Sequence, residues 1–345
     1  MENRIWQDTA MARNIIGQKG KDFAILIHVN PDGDAVGSSL GLLNLLQKIG
    51  HKGFVISPND YPGFLKWMQG SDKIIVYNKT PGMASTILKS ADIIFALDFN
   101  ELNRMKDING VYQQAGGYKI LIDHHPDPVL SADCIISDIA SSSTAELVLD
   151  FIKDIGCTSF LDVASAECLF AGIMSDTGCF SYNSSNKKTW QSVAELLDYG
   201  INKDRIYSSI YDNFSADRMR LLGYSINDKM VVLPEFHTGY IWLSREDLKK
   251  FNFKTGDTEG FVNYPLSVKG IWFSALFTEN DTHVRISFRS KGDFPVNEFA
   301  RRGFNGGGHA NASGAESDMS MEDTIKRFKE LLNIYKDALA ENTGE

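Results

Sequence analysis

Three largely apolar runs in the first part of the chain each end in polar residues. The runs are 23–27, 91–97 and 118–122, and they are followed by His28, Asp98 and Asp123. Continuous apolar runs of this length are typical of strands buried in a parallel sheet. Because parallel strands of an open α/β sheet end at the same edge, we expect the polar residues that follow them to converge there.

The first of these polar segments lies where a strand passes into a helix. Residues 28–34 contain His28, Asp32 and Asp34, and Gly33 permits a sharp turn between the two acids. Leucines at helical spacing follow, as far as a terminating glycine at position 50. Imidazole and carboxylate side chains grouped in this way favour a metal site. An ordinary Asx-rich turn is the alternative.

Alternating strands and helices continue to about residue 190. Residues 3–18 have the pattern of an amphipathic helix. Residues 143–146 read Ser-Thr-Ala-Glu, the form of a capping box that opens a helix. A second helical pattern, over 161–174, leads to Asp176. We therefore predict an α/β fold whose first domain, residues 1–190, is a doubly wound parallel sheet.

The character of the sequence changes after residue 190. Residues 191–228 are helical in pattern and are predicted to be a linker. Strand patterns then recur at 230–235, 240–244, 271–277 and 283–290, followed by a short helix at 295–302, a glycine loop at 306–308 and an amphipathic helix at 321–340. Residues 229–345 are therefore predicted to form a smaller α+β domain.

The residues expected at the sheet edge carry an excess of negative charge. They are His28, Asp32, Asp34, Asp98, Asp123, His124, His125 and Asp176. Carboxylates that converge without compensating charge repel one another. Protonation of an acid, pairing with Arg or Lys, or bound cations could relieve that repulsion, and two divalent cations would supply a charge close to what the cluster lacks. Mixed carboxylate and imidazole ligands suit Mn²⁺ or Fe²⁺, with Mg²⁺ or Co²⁺ as substitutes. A pair of such ions is typical of phosphatases and nucleases, so the cluster predicts phosphoester hydrolysis.

Overall charge and cysteine usage limit the partners and the compartment. The formal net charge of -9 disfavours binding to long duplex nucleic acid and suits a small phosphorylated substrate. No apolar run approaches the length of a membrane-spanning helix, and the first residues do not resemble a signal peptide. The four cysteines have no metal-finger or C-x-x-C spacing and are expected to be reduced thiols. We predict a cytoplasmic location; a homodimer is compatible with the sequence.

Four motifs in order resemble those of the DHH phosphoesterase superfamily. They are H-x-N-P-D-x-D at 28–34, the aspartate at 98, D-H-H at 123–125 and S-D-T-G at 175–178. The G-G-G-H sequence at 306–309 resembles the signature of the DHH-associated substrate-binding domain. The length of the chain, and the absence of any sensory or oligonucleotide-binding module from it, are most similar to the stand-alone nanoRNase/pAp-phosphatase group, which is related to RecJ-type exonucleases.

The resemblance implies a role for each residue of the cluster. It assigns one metal to His28 and Asp32 and the other to Asp34, His124 and Asp176. Asp98 would bridge the two ions. His125 would face the reacting phosphate as a charge stabiliser or proton donor. Asp123 would orient its neighbours from behind.

Residues of the second domain are predicted to hold the substrate. Arg285, Ser287 and Arg289 alternate along one strand and therefore share a face. Arginines there suit phosphate recognition and base stacking, and a solvated edge strand is the alternative. Gly307, Gly308 and His309 are candidates for contact with a terminal phosphate, and a plain turn is the alternative. Arg104 of the first domain is a further candidate substrate ligand.

The predicted activity is Mn²⁺-dependent hydrolysis of short single-stranded RNA, of adenosine 3′,5′-bisphosphate (pAp), or of both. The resemblance implies that a hydroxide activated by two metals carries out the attack. The enzymatic alternative is a phosphodiesterase for c-di-AMP or its linear product pApA, an activity found among related stand-alone proteins. The non-enzymatic alternative is a nucleotide-sensing protein with a degenerate site.

Overall fold

The computed structural model describes residues 4–126 and 128–342. The chain divides after Asn213 into two compact units, and each is described here by itself. That division falls inside the predicted linker, 191–228, whose existence as a separate segment stays a prediction. The outermost residues of the predicted domains, 1–3 and 343–345, lie outside the described residues.

The first unit contains a seven-stranded sheet covered by helices. Its strands are β1 (Arg4–Trp6), β2 (Asp22–Leu26), β3 (Lys52–Ser57), β4 (Ile75–Val76), β5 (Ile93–Leu97), β6 (Tyr118–Asp123) and β7 (Cys134–Asp138). Its helices are α1 (Ala10–Gly17), α2 (Gly33–Ile49), α3 (Pro81–Ser90), α4 (Asn109–Gln114), α5 (Thr144–Asp154), α6 (Val163–Asp176), α7 (Lys187–Asp198) and α8 (Lys203–Tyr211).

The order of the strands explains why the polar segments meet. The sheet runs β1-β7-β6-β5-β2-β3-β4, and every neighbouring pair except β1–β7 is parallel. The chain proceeds outward from β2 in one direction to β4 and then resumes on the other side of β2 with β5. This reversal is the topological switch point at which open α/β sheets bind ligands.

Alternate residues of the parallel strands pack against helices on opposite faces. In β2, Phe23 and Ile25 belong to the core formed with α2, α5 and α6, whereas Ala24 and Leu26 belong to the core formed with α3 and α4. A strand buried on both faces reads as a continuous apolar run, which is why the sequence revealed it. The predicted doubly wound sheet is confirmed.

Residues 4–18 correct one prediction. The single helix expected there is wrong, because residues 4–6 form the edge strand β1 and only 10–17 are helical. β1 pairs antiparallel with β7, with Trp6 opposite Ile136. Neither strand has a clear alternation of apolar and polar residues. Their pairing joins distant parts of the chain and could not be predicted from the local sequence. The sequence patterns also do not indicate β7 or α3.

The second unit is a smaller α+β unit, as predicted. Its six-stranded sheet has the order β12-β13-β11-β10-β9-β8, in which β9–β10 is parallel and the other pairs are antiparallel. The strands are β8 (Met230–Leu233), β9 (Thr238–Leu243), β10 (Phe273–Glu279), β11 (Val284–Ser290), β12 (Asn305–Gly308) and β13 (Ala312–Ser317). The helices are α9 (Ala216–Asp228), α10 (Arg245–Lys250), α11 (Val296–Gly303), α12 (Met321–Ile334) and α13 (Lys336–Glu341).

Two details of this unit differ from the prediction. The glycine loop at 306–308 is wrong, because these residues form the edge strand β12, paired with β13. A Cβ atom on Gly306 would lie 2.5 Å from the Cβ atom of Ala315, so the close approach of the two strands requires glycine there. The helix expected over 321–340 is interrupted at Tyr335.

Within the described residues, no helix has the length and apolar character needed to cross a bilayer. The four cysteines are free thiols, of which Cys134 and Cys168 are buried and Cys157 and Cys179 are half-buried.

Candidate metal centre

Close packing of α2 against α6 brings two of the polar segments together. A Cβ atom on Gly37 would lie 2.5 Å from the carbonyl oxygen of Cys168, and one on Gly172 would lie 2.9 Å from Oδ1 of Asp34. The absence of side chains at these two glycines therefore allows the start of α2 to meet the end of α6. Asp34, in the first turn of α2, thereby lies close to Asp176.

Within the first unit, three groups of candidate ligands have donor atoms within 4.8 Å of one another. The groups are His28, Asp32 and Asp98; Asp34, His124 and Asp176; and Asp98, Asp123 and His125. Together they include all eight residues that are predicted to form the cluster.

The first group is built around His28. Its Nε2 atom lies 3.4 Å from Oδ2 of Asp98 and 3.9 Å from Oδ1 of Asp32. The Nδ1 atom of the same ring lies 2.8 Å from the carbonyl oxygen of Val29, which directs Nε2 toward the two carboxylates. Asp32 is the N-cap of α2 and accepts hydrogen bonds from the backbone N–H groups of Asp34 and Ala35.

The second group is built around His124, which is buried. Its Nε2 atom lies 3.5 Å from Oδ2 of Asp176 and 4.0 Å from Oδ2 of Asp34. Its Nδ1 atom lies 3.3 Å from the carbonyl oxygen of Ser141. As in His28, a backbone carbonyl at Nδ1 leaves Nε2 directed at the carboxylates, the arrangement usual for a histidine that binds metal.

Asp98 connects the two groups. Its Oδ2 atom lies 3.4 Å from Nε2 of His28, and its Oδ1 atom lies 3.7 Å from Nε2 of His124. The residue is almost completely buried and has a φ of 67°, a backbone conformation that costs free energy for a residue other than glycine. Its carboxylate is thus aimed at both groups at once.

Asp123 and His125 form a buried pair beside Asp98. His125 Nδ1 lies 2.7 Å from Oδ1 of Asp123 and 3.8 Å from Oδ1 of Asp98. Burial, reinforced by the positive charge of Arg104, holds the pKa of His125 well below its usual value. A neutral imidazole oriented by Asp123 is therefore expected at neutral pH.

The pKa values of Asp34 and His28 indicate a lack of positive charge around them. Burial, together with the charges of Asp98 and Asp176, raises the pKa of Asp34 well above its usual value. Burial and the Arg104 charge oppose protonation of His28, but contacts with Asp32 and Asp98 outweigh them and raise its pKa to about 9. Both shifts favour added positive charge at this position, and oxygen and imidazole donors of this kind fit a divalent metal.

A turn before α5 contacts the cluster and was not assigned a definite role from the sequence. The backbone N–H groups of Thr144 and Ala145 donate to Oδ2 and Oδ1 of Asp34, at 2.7 and 2.9 Å. The predicted capping box is only half formed: Ser143 accepts from the backbone of Glu146, but the Glu146 carboxylate accepts from Ser142 instead of returning to Ser143. In the sequence, the Ser-Ser-Ser-Thr run at 141–144 is the feature that indicates a hydrogen-bonding turn at this position.

Arg104 lies in a short 3₁₀ segment after β5. Its carbonyl oxygen accepts from the N–H group of Val29, at 2.8 Å, which ties this segment to the loop that carries His28. The positive charge of Arg104 opposes protonation of both His28 and His125, and so acts to lower the pKa of each. The Nε atom of Arg104 is buried without a hydrogen-bond partner among the described residues.

In the second unit, Arg285, Ser287 and Arg289 lie on one face of β11, and the residues between them are buried. β11 lies between β10 and β13, so the alternative of a solvated edge strand is wrong. His309 begins the turn between β12 and β13, where its N–H group donates to the carbonyl oxygen of Ala312, at 2.8 Å. Gly307 and Gly308 precede it in β12.

Comparison with known families agrees with this architecture. Residues 22–173 match the model of the DHH family, N-terminal domain, and residues 236–341 match that of the DHHA1 domain. The chain belongs to the DHH family of phosphoesterases.

Proteins similar to this one match 90% or more of the chain, across both units. A protein of Streptococcus mutans named probable bifunctional oligoribonuclease and PAP phosphatase NrnA is 30% identical over 90% of this chain and 93% of its own length. The Bacillus subtilis protein with that bifunctional name is 28% identical, again over 90% of this chain and 93% of its own length. The crystal structure of an exopolyphosphatase-related protein from Bacteroides fragilis is 40% identical with a TM-score of 0.91, over 99% of this chain and 100% of that one.

Proposed function

We propose that this phosphoester hydrolase removes nucleotides from short single-stranded RNA and the 3′-phosphate from pAp. The observation that carries the proposal is the position of Asp98, whose two carboxylate oxygens face the imidazoles of two separate ligand groups. Relatives similar over nearly the full chain are named for both activities.

We assign one divalent cation to His28 and Asp32, and a second to Asp34, His124 and Asp176, with Asp98 bridging them. Mn²⁺ is the proposed ion, because the donors combine carboxylate oxygens with imidazole nitrogens. When bound, such a pair lowers the pKa of water and binds phosphoryl oxygens. The strained backbone of Asp98 is consistent with a carboxylate held at a functional site.

The residues around the cations would then orient the phosphate. His125, held by Asp123, is proposed to hydrogen-bond to the phosphate under attack. Because Nδ1–H donates to the Asp123 carboxylate, Nε2 can donate to a phosphoryl oxygen only when the ring is protonated. The lowered pKa keeps the ring neutral in the free protein, and the negative charge of a bound phosphate would favour uptake of that proton. Arg104, whose charge already acts on His28 and His125, is proposed to contribute to phosphate binding from the same unit.

The second unit is proposed to hold the nucleotide. Arg285 and Arg289 share a face on which forked hydrogen bonds to phosphate or stacking on a base could form. Gly307, Gly308 and His309 are proposed to contact a terminal phosphate. The net charge of -9 favours a short substrate over a long duplex.

Two further expectations remain part of this proposal. The free thiols are typical of a reducing compartment, so we place the activity in the cytoplasm. Assembly into a homodimer stays a prediction.

The proposal is tested by assaying the purified chain with Mn²⁺ against pAp, a short oligoribonucleotide, c-di-AMP, pApA, pyrophosphate and polyphosphate in parallel. We expect the first two to be hydrolysed fastest. Asp98→Ala should lose that activity, whereas Asp107→Ala, at an exposed position nearby, should keep it. Preference for c-di-AMP or pyrophosphate would contradict the substrate assignment, and tight nucleotide binding without hydrolysis would favour a sensor.

A further inference from the structure

Glu146, in the first turn of α5, is a fully buried acid outside the metal cluster. Its Oε2 atom accepts from the N–H and Oγ groups of Ser142, at 3.0 and 2.6 Å, and from Oγ1 of Thr189, at 3.1 Å. The hydroxyls of Ser141 and Ser192 lie at the limit of hydrogen bonding, at 3.3 and 3.5 Å. Among the described residues, none forms an ion pair with it.

The turn that Glu146 holds also contacts the candidate metal ligands on its other side. Thr144 donates from its backbone to Asp34 and from Oγ1 to Asp98, the latter at 2.9 Å. Ser141 offers its carbonyl oxygen to Nδ1 of His124. One short turn therefore touches three residues of the cluster, while the carboxylate of Glu146 holds that turn from behind.

Burying the carboxylate of Glu146 costs free energy, so we look for a use of the geometry that it maintains. Burying a charged group costs several kcal/mol when its hydrogen bonds are incomplete, and hydroxyl donors can offset that cost only if they are held in place. Ser143 already caps α5, because its side chain accepts a hydrogen bond from the backbone N–H group of Glu146. The carboxylate of Glu146 is therefore not needed to cap the helix. The hydrogen bonds that Glu146 accepts from Ser142 and from Thr189 of α7 instead fix the position of the turn.

We propose that Glu146 is a positioning residue of the metal centre. By fixing the turn 141–144, it holds Asp34, Asp98 and His124 in the orientation that binds the cations. This inference rests on the metal assignment of the proposed function. Residues that orient metal ligands typically contribute about 10- to 100-fold to metal affinity or activity.

The test compares Glu146→Gln and Glu146→Ala with Asp150→Asn as the matched control. Asp150 is an acid one turn further along the same helix, and it too reaches α7, through an ion pair of 2.6 Å with Lys188. Mn²⁺ affinity is measured by titration, and hydrogen exchange of the Thr144 and Ala145 amides is measured in the metal-free protein.

We expect Glu146→Gln to weaken Mn²⁺ binding about tenfold and to speed exchange of both amides, with a larger effect in Glu146→Ala. Asp150→Asn should change neither property. Saturating Mn²⁺ should restore much of the lost turnover in Glu146→Gln.

A loss of thermal stability in Glu146→Gln with unchanged Mn²⁺ affinity and amide exchange would overturn the inference, leaving a purely structural role. If Glu146→Ala does not fold, Thr189→Val, which removes one donor, provides the second variant and should weaken Mn²⁺ binding to a smaller extent. Wild-type protein that binds Mn²⁺ but hydrolyses none of the six substrates would contradict the proposed activity without affecting this test. Wild-type protein that binds no Mn²⁺ would overturn both.

Discussion

Thr144 Oγ1 donates a hydrogen bond of 2.9 Å to Oδ1 of Asp98, although the two residues are 46 positions apart in the chain. Both side chains are buried. The bond restricts rotation of the carboxylate that we propose to bridge two cations. It joins the first residue of α5 to the residue that follows β5, and so links the start of a helix to the centre of the site.

Thr144→Val should therefore weaken the metal centre. Valine has nearly the shape of threonine but cannot donate to Asp98, and we expect Mn²⁺ affinity to fall about tenfold. Titration with Mn²⁺ measures the change. Thr144→Ser keeps the hydroxyl and should remain close to wild type. Weaker Mn²⁺ binding in Thr144→Ser, with wild-type affinity in Thr144→Val, would show that the methyl group, and not the hydrogen bond, matters.

Gly37→Ala should separate α2 from α6. The new Cβ atom would lie 2.5 Å from the carbonyl oxygen of Cys168, which forces the two helices apart. We expect a loss of about 1–3 kcal/mol in the free energy of unfolding, together with weaker Mn²⁺ binding because Asp34 and Asp176 move apart. Gly82→Ala in α3 is the control, since its Cβ atom would meet nothing within 4 Å. Chemical denaturation that finds both variants equally stable would contradict the packing argument.

Acid should destabilise the second unit through Asp247. Burial disfavours the charged form of Asp247, but hydrogen bonds from Lys229, Ser244 and Tyr224 outweigh it and lower its pKa to about 2. Because the folded-state pKa is below the unfolded value, this carboxylate stabilises the fold above pH 4 by about 2 kcal/mol, a contribution lost as the pH falls toward 2.

Hydrogen exchange of the β9 amides between pH 5 and pH 2.5 measures that contribution. Wild type should lose more protection than Asp247→Asn, after correction for the intrinsic pH dependence of exchange. Parallel losses in the two proteins would contradict the assignment to Asp247.

Arg289→Ala should weaken substrate binding without affecting the metal centre. Loss of a charge-assisted contact with phosphate typically costs about 1.5–3 kcal/mol, so we expect KM for pAp or short RNA to rise tenfold or more. Arg327→Ala removes an exposed arginine of α12 that pairs with Glu330 and is the matched control. Steady-state kinetics that show a fall in kcat with unchanged KM would place Arg289 outside substrate binding.

The strands that lead to the cluster could be predicted because they are buried on both faces. Their apolar runs are continuous, and the topology of parallel strands then brings His28, Asp98 and His124 to one edge. Local signals sufficed because each polar residue directly follows its strand.

Contacts between distant residues could not be predicted in the same way. The contribution of Thr144 depends on α5 starting beside Asp34 and Asp98, and the direction of the Glu146 carboxylate depends on α7. The glycines at 33, 37 and 41 do form a helical pattern with a spacing of four, but only the position of α6 shows what they pack against. Likewise, three consecutive glycines suggested a loop, and pairing with β13 makes them a strand.

Asp98 is proposed to bridge two cations held by separate ligand groups. Electron paramagnetic resonance of the purified chain, titrated with Mn²⁺, reports on this bridge. We expect two bound ions per chain with the spectrum of an exchange-coupled pair, and loss of that coupling in Asp98→Ala. A single bound ion, or two ions with uncoupled spectra in the wild-type protein, would contradict it.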